Sequence, residues 1–110
     1  MINVTIVRKD DGQISSFTVE GHANFDMYGS DIVCAGVSAV TFGAINAVEA
    51  LTSCIPTVEQ GGEGGYLYCE VPKDLPAEEE EKVQLLLSGM IVSLQTIEES
   101  YSDYIKITFK

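Results

Sequence analysis

The chain has 110 residues, 45% of them hydrophobic, and carries 17 acidic against 6 basic side chains for a formal charge of −11. That length builds one domain, residues 1–110, around one modest core. No Lys or Arg stands between Lys9 and Lys73, which excludes direct binding to a nucleic-acid backbone and leaves a basic peptide or protein, or solubility alone, as the use of the acidic surface.

Three cysteines, Cys34, Cys54 and Cys69, are too few and too odd in number for a disulfide scaffold, so the expected setting is a reducing cytoplasm with all three thiols free. Met1-Ile2-Asn3-Val4-Thr5-Ile6 alternates like a strand and has no basic segment ahead of an apolar run, so no signal peptide is expected. No apolar run reaches about 18 residues, which argues against a membrane-spanning helix. The pattern implies no cofactor.

Ile2, Val4 and Ile6 predict a half-buried strand, Asp10-Asp11-Gly12 a hairpin turn, and Gln13 to Glu20 a returning strand. Phe17 and Val19 share a face that Ile14 misses, so a bulge is expected near Ser15-Ser16. Gly21 to Ser30 is a connection containing Phe25, Met27 and Tyr28. It reads either as a loop folded onto the core or as a substrate-binding flap hinged at Gly29.

Val33, Val37, Val40, Ala44, Val48 and Leu51 recur at helical steps, predicting an amphipathic helix over 32–53 with Asp31, or alternatively Ser30, as its N-cap. Gly36 and Gly43 inside it cost about 1 kcal/mol each relative to Ala, which predicts another helix or backbone packed close. Ile55 to Gln60 and Tyr66 to Val71 flank the glycine cluster 61–65 and read as a hairpin. That cluster lacks the Lys-Ser/Thr of a phosphate-binding loop.

Glu78 to Glu81 suit the positive end of a second helix. Its apolar stripe comprises Val83, Leu86, Leu87, Met90, Ile91, Leu94 and Ile97, with Leu85 and Val92 extending it. Ile105, Ile107 and Phe109 form a closing strand. The order β-β-α-β-β-α-β predicts an α+β two-layer fold: a mixed or antiparallel sheet of about five strands with two helices on one face.

His22 is the sole histidine and Cys34 sits near a helix start. A thiol there feels the positive helix end, which favours its thiolate, and an imidazole arriving from a strand end completes the pair a cysteine nucleophile needs. His22 would act first as base or ion-pair partner and then as acid toward a leaving amine. Backbone N–H groups of Cys34 and its neighbours, Ala35 among them, are candidate oxyanion donors. Asp31 caps the helix or orients His22, and Ser38 either bonds back to the helix or reaches the site. One His, one Cys and scattered Asp residues make a poor zinc set, so no metal is expected.

Gly21-His22-Ala23, then Gly29 through Asp31-Ile32-Val33-Cys34-Ala35-Gly36-Val37-Ser38, with Asn46-Ala47 and Ser93-Leu94-Gln95-Thr96-Ile97 downstream, resembles the ribosomal-processing cysteine protease family, Prp, along essentially the whole chain. The resemblance implies a cysteine endopeptidase that removes the N-terminal extension of a large-subunit ribosomal protein after bulky hydrophobic residues. It implies Cys34 as nucleophile, His22 as partner, an intervening mobile segment pivoting at Gly29, and roles for Gly21, Asp31 and Ser38. It also implies a homodimer. Phe25 and Tyr28 would offer apolar contact to the substrate, and the acidic surface suits a basic ribosomal protein. The competing readings are a non-enzymatic module that binds ribosomal protein with a vestigial Cys–His pair, and a redox-sensing thiol.

Overall fold

Alternation at Ile2, Val4 and Ile6 places those side chains on one face of a strand, and all three are buried. The computed structural model describes residues 1–21, 30–61 and 65–110, with the backbone alone at residues 30 and 31. Its elements are β1 (Ile2–Arg8), β2 (Ile14–Glu20), α1 (Ser30–Leu51), β3 (Thr57–Gln60), β4 (Tyr66–Glu70), α2 (Ala77–Ser100) and β5 (Ile105–Phe109). The sheet order is β3-β4-β2-β1-β5. Its pairings are antiparallel except β1 with β5, which run parallel. The sheet is therefore mixed, and the expected α+β order holds.

A bulge sits where the hydrophobic register required one. Val7 pairs with Ser16 and Arg8 with Ile14, so Ser15 is the extra residue. It lets Ile14 and Phe17, three apart, both face the core at 0% exposure. The backbone freed there is taken up: Ile14 donates its N–H to Gln84 Oε1 at 2.7 Å, and Gln84 Nε2 donates to the Ile14 carbonyl at 2.9 Å. Ser15 Oγ donates to the Val7 carbonyl at 3.1 Å. One amide side chain thus ties α2 to the irregular end of the hairpin.

Both helices lie on the sheet face carrying Val4, Ile6, Phe17, Leu67, Cys69 and Ile105, and Val33, Val37, Ile45 and Val48 of α1 with Val83, Leu87, Met90, Ile91 and Leu94 of α2 close the core. Gly36 is explained by this packing, since a Cβ there would touch Ile97 Cδ1 of α2 at 3.6 Å. Gly43 is not: no atom among the described residues lies within 4 Å of its Cβ position.

Four expectations need correction. Leu85 and Val92 do not extend the buried stripe of α2, being 75% and 62% exposed; they lie outside the arc that the sheet and α1 cover. β3 begins at Thr57 and not Ile55, whose side chain is exposed. α1 opens at Ser30, so Asp31 lies inside its first turn and does not precede it as a cap. Finally, Ile32–Leu51 is long and apolar enough by composition to cross a membrane, because alanines, glycines and one charge do not interrupt it. In this domain its Val33, Val37, Ile45 and Val48 belong to the core.

Gln84→Ala should cost about 1–3 kcal/mol, since it strips partners from a partly buried N–H and carbonyl. Urea denaturation checks it, and Leu85→Ser, on an exposed site, should stay within about 0.5 kcal/mol of the parent.

Candidate active site

Cys34 is the fifth residue of α1 and is half-buried. Val37, Ser38, Thr41 and Phe42 follow it at steps of one and two helical turns, so the five share one side of the helix. They form one wall of a cleft of about 270 Å³. The opposite wall is the upper end of the sheet: Ile2, Val19, Gly21, Gln60, Tyr66 and Leu67. Among the described residues the cleft continues the core outward between α1 and the sheet.

Of the candidate residues, the fold brings Gly21, Cys34 and Ser38 to this cleft. Ala35 is exposed and is not among its lining residues. His22, Phe25, Tyr28 and Gly29 lie outside the described residues, as does the side chain of Asp31. His22 directly follows Gly21 in the chain.

Gly21 has a structural reason to be glycine. Its φ is +95°, a conformation that L side chains rarely adopt, and a Cβ would press on the Met1 carbonyl. Its N–H donates to the Gly65 carbonyl at 3.0 Å. This pins the end of β2 to the β3–β4 hairpin and fixes where the chain leaves the sheet toward His22.

The helix start revises one chemical expectation. With α1 opening at Ser30, the N–H groups of Cys34 and Ala35 are committed to the carbonyls four residues back. The amides lacking helical partners are those of Ser30, Asp31 and Ile32. The Cys34 side chain leans toward that end, as helical side chains do. The amides free at the head of α1 are therefore one turn before Cys34. Thr41, not Ser38, makes the back-bond to the helix, donating to the Val37 carbonyl at 2.8 Å. Among the described residues the Ser38 hydroxyl has no such bond, and it faces the cleft.

Cys54 and Cys69 are core thiols, 1% and 2% exposed. Burial pushes the Cys69 thiol up to about 12. Burial, then Glu80 and Glu49, raise that of Cys54. Neither is a nucleophile at neutral pH, and all three cysteines are free. Among the described residues no group of His, Cys, Asp or Glu is arranged to hold a metal.

Charge is divided across the molecule. Every Lys and Arg lies at positions 8–9, 73, 82, 106 and 110, on the β1–α2–β5 half or the link before α2. β2, α1, β3 and β4 carry none. Apart from β1, which contributes Ile2 at the end away from Arg8, the elements framing the cleft carry acidic charges and no cation.

The cysteine protease Prp family model matches residues 1–106. A ribosomal processing cysteine protease of Bacillus subtilis is 52% identical over 108 residues, spanning 98% of this chain and 96% of that one. The chain belongs to the cysteine protease Prp family. Two crystal structures of the essential family protease of S. aureus superpose over the full length of both chains. The one with a substrate peptide is 40% identical at TM-score 0.89, and the one with a covalently linked product peptide is 39% identical at 0.86. The domain is thus a cysteine protease, and of its three thiols only Cys34 opens onto a cleft.

Sequence reasoning overlooked Thr41, Phe42, Gln60, Tyr66 and Leu67 as cleft residues. Thr41 and Phe42 were within reach, since they sit seven and eight positions beyond Cys34 and so on its helix face. Gln60, Tyr66 and Leu67 carry no local signal; sheet topology alone brings them there.

Under native conditions at pH 9, a bulky maleimide should label one thiol per chain, on the proteolytic fragment containing Cys34, and in urea it should label three. Mass spectrometry reads the difference. Native labelling at Cys54 or Cys69 would contradict the burial that holds those thiols protonated.

Proposed function

We propose that this protease removes the N-terminal extension of a large-subunit ribosomal protein by cutting after bulky hydrophobic residues, using a Cys34–His22 dyad. The observation that carries this reading is the Cys34 thiol, half-buried on the wall of a cleft that Gly21 also lines, with His22 the next residue in the chain. The relative from B. subtilis is named a ribosomal processing cysteine protease, and the acidic elements around the cleft complement a basic ribosomal substrate.

In this mechanism the Cys34 thiolate attacks the scissile carbonyl. The bond to the leaving amine breaks as His22 delivers a proton to its nitrogen, and a thioester to the N-terminal fragment remains on Sγ. Water, deprotonated by His22, then attacks the thioester, and the thiolate leaves. The unpartnered amides at the head of α1 stabilise the negative oxygen in both steps. Each such donor is typically worth about 3–4 kcal/mol of barrier. Asp31 and Ser38 orient the imidazole and substrate, and the segment with Phe25, Tyr28 and Gly29 folds over the bound peptide. The protein works in the cytoplasm as a homodimer. The exposed small-residue face of α1, with Ala35, Ala39, Gly43 and Ala50, is a surface on which a second copy packs closely.

A peptide spanning the extension junction should be cut by the wild type and left intact by Cys34→Ala. His22→Ala should lower kcat by roughly 10²–10⁴-fold while leaving the urea midpoint within the range of surface substitutions. Mass analysis of the products fixes the bond. Full binding of the peptide with no cleavage by the wild type would turn the reading into that of a binding module.

A further inference from the structure

The two edges of the sheet are treated differently. On β5, parallel pairing with β1 uses Tyr104, Lys106 and Lys110 on one side: Ile2 N–H donates to the Tyr104 carbonyl at 2.8 Å and Lys110 N–H to the Ile6 carbonyl at 2.8 Å. Ile107 therefore points its backbone outward. That outward N–H is already taken, donating to Glu98 Oε2 of α2 at 2.6 Å. Lys106 and Lys110 flank it. A carboxylate plug with lysines beside it closes the edge to strand pairing.

Among the described residues β3 has no such plug. Gly61 N–H donates to the Tyr66 carbonyl at 3.0 Å, which makes Gly61–Tyr66 a hydrogen-bonded pair. Alternation along an antiparallel ladder then makes Thr57 and Glu59 the bonded residues of β3. The N–H and C=O groups of Val58 and Gln60 face away from β4, and none has a hydrogen-bond partner among the described residues. This open edge leads directly into the active-site cleft, because Gln60 and Phe42 line it together with Cys34. Phe42, 37% exposed, stands on the α1 side of the cleft, where inward-pointing side chains of an added strand would come down. The surrounding elements carry no cation, and Glu59 and Glu70 lie on β3 and β4.

We propose that the edge of β3 is the substrate track: the residues preceding the scissile bond add as an extended strand beside β3. Their backbones pair with the N–H and C=O groups of Val58 and Gln60, and alternate apolar side chains rest on Phe42. The occupant is an extended, basic, apolar-rich peptide segment, which deepens the proposed function and rests on it. Main-chain pairing supplies the affinity and the spacing to Cys34, while side-chain pockets set the choice of residue, as in other strand-addition complexes. It also explains why a short four-residue strand can stay open without a charged plug: its bonding groups are completed by substrate.

The test is a scan of singly N-methylated junction peptides against the wild type, with binding measured separately on Cys34→Ala. Methylation removes one backbone donor and leaves every side chain in place. Peptides methylated at the two alternate positions that pair with Val58 and Gln60 should lose about tenfold in affinity each, and those at the positions between should bind as the parent does. Val58→Pro removes an outward N–H without touching the β4 ladder; it should raise KM about tenfold and leave the rate of Cys34 alkylation unchanged. If the wild type does not cut the unmethylated peptide, the proposed function is wrong. If it does, but all methylated forms bind alike, the edge is not the track. If in addition Val58→Pro splits a dimer, that edge belongs to a second copy, and the proposal is overturned.

Discussion

The rotation of α1 about its own axis governs everything at the active site. Val33, Val37, Thr41, Ile45 and Val48 are all 5% exposed or less, at steps of four, four, four and three, and they seat the helix against the sheet and α2. Each buried Val or Ile contributes roughly 1.5–3 kcal/mol relative to exposure, so the helix cannot turn without losing several such terms together. Cys34 follows Val33 by one position, about 100° around the helix. That offset holds the thiol at the margin of the buried arc: covered enough to escape bulk water, open enough to meet a carbonyl. A one-residue change in register would carry it into the core or out to the exposed face with Ala35.

The sheet supplies the other half of the geometry. The bulge at Ser15 keeps Ile14 and Phe17 on the core side, and Gln84 holds it to α2. At the far end of the same strand, Gly21 turns through a positive φ against Met1 and is tied to Gly65. β2 is thus anchored at both ends, and its upper end presents the chain to the cleft at a fixed point. Cations gather on the other half of the molecule, beside β5, where Arg8 stacks over Phe109 at 5.6 Å and Glu98 seals the edge. The acidic half holds the cleft and the open edge. Cations and cleft thereby lie on different halves of the fold.

Much of this was legible in the sequence, because period-two and period-3.6 patterns are dictated by burial on one face. Even the bulge followed from Ile14 standing out of step with Phe17. What sequence patterns could not resolve has physical reasons. Leu85 and Val92 have the chemistry of core residues, but apolar side chains also stand singly on surfaces, and composition does not say how wide an arc the neighbours cover. Ser30 and Asp31 are both good caps, so the true helix start, and with it the set of free amides, was ambiguous by the very residues that matter for chemistry. Gly36 has its explanation in Ile97, whereas Gly43 meets nothing. Cys34 was identifiable from its position near a helix start and from resemblance together. The wall of Gln60, Tyr66 and Leu67 was not, since strand pairing across the sheet puts it there.

The central claim is that the Cys34 sulfur forms the covalent intermediate. A peptide p-nitrophenyl ester ending in Phe makes acylation fast and hydrolysis limiting, so mixing it with the enzyme in stoichiometric excess and quenching in acid traps the acyl form for mass spectrometry. The account predicts a burst of one nitrophenolate per active site and a peptidyl mass on the fragment containing Cys34. An equal burst from Cys34→Ala, or the acyl group on Cys54 or Cys69, would contradict it.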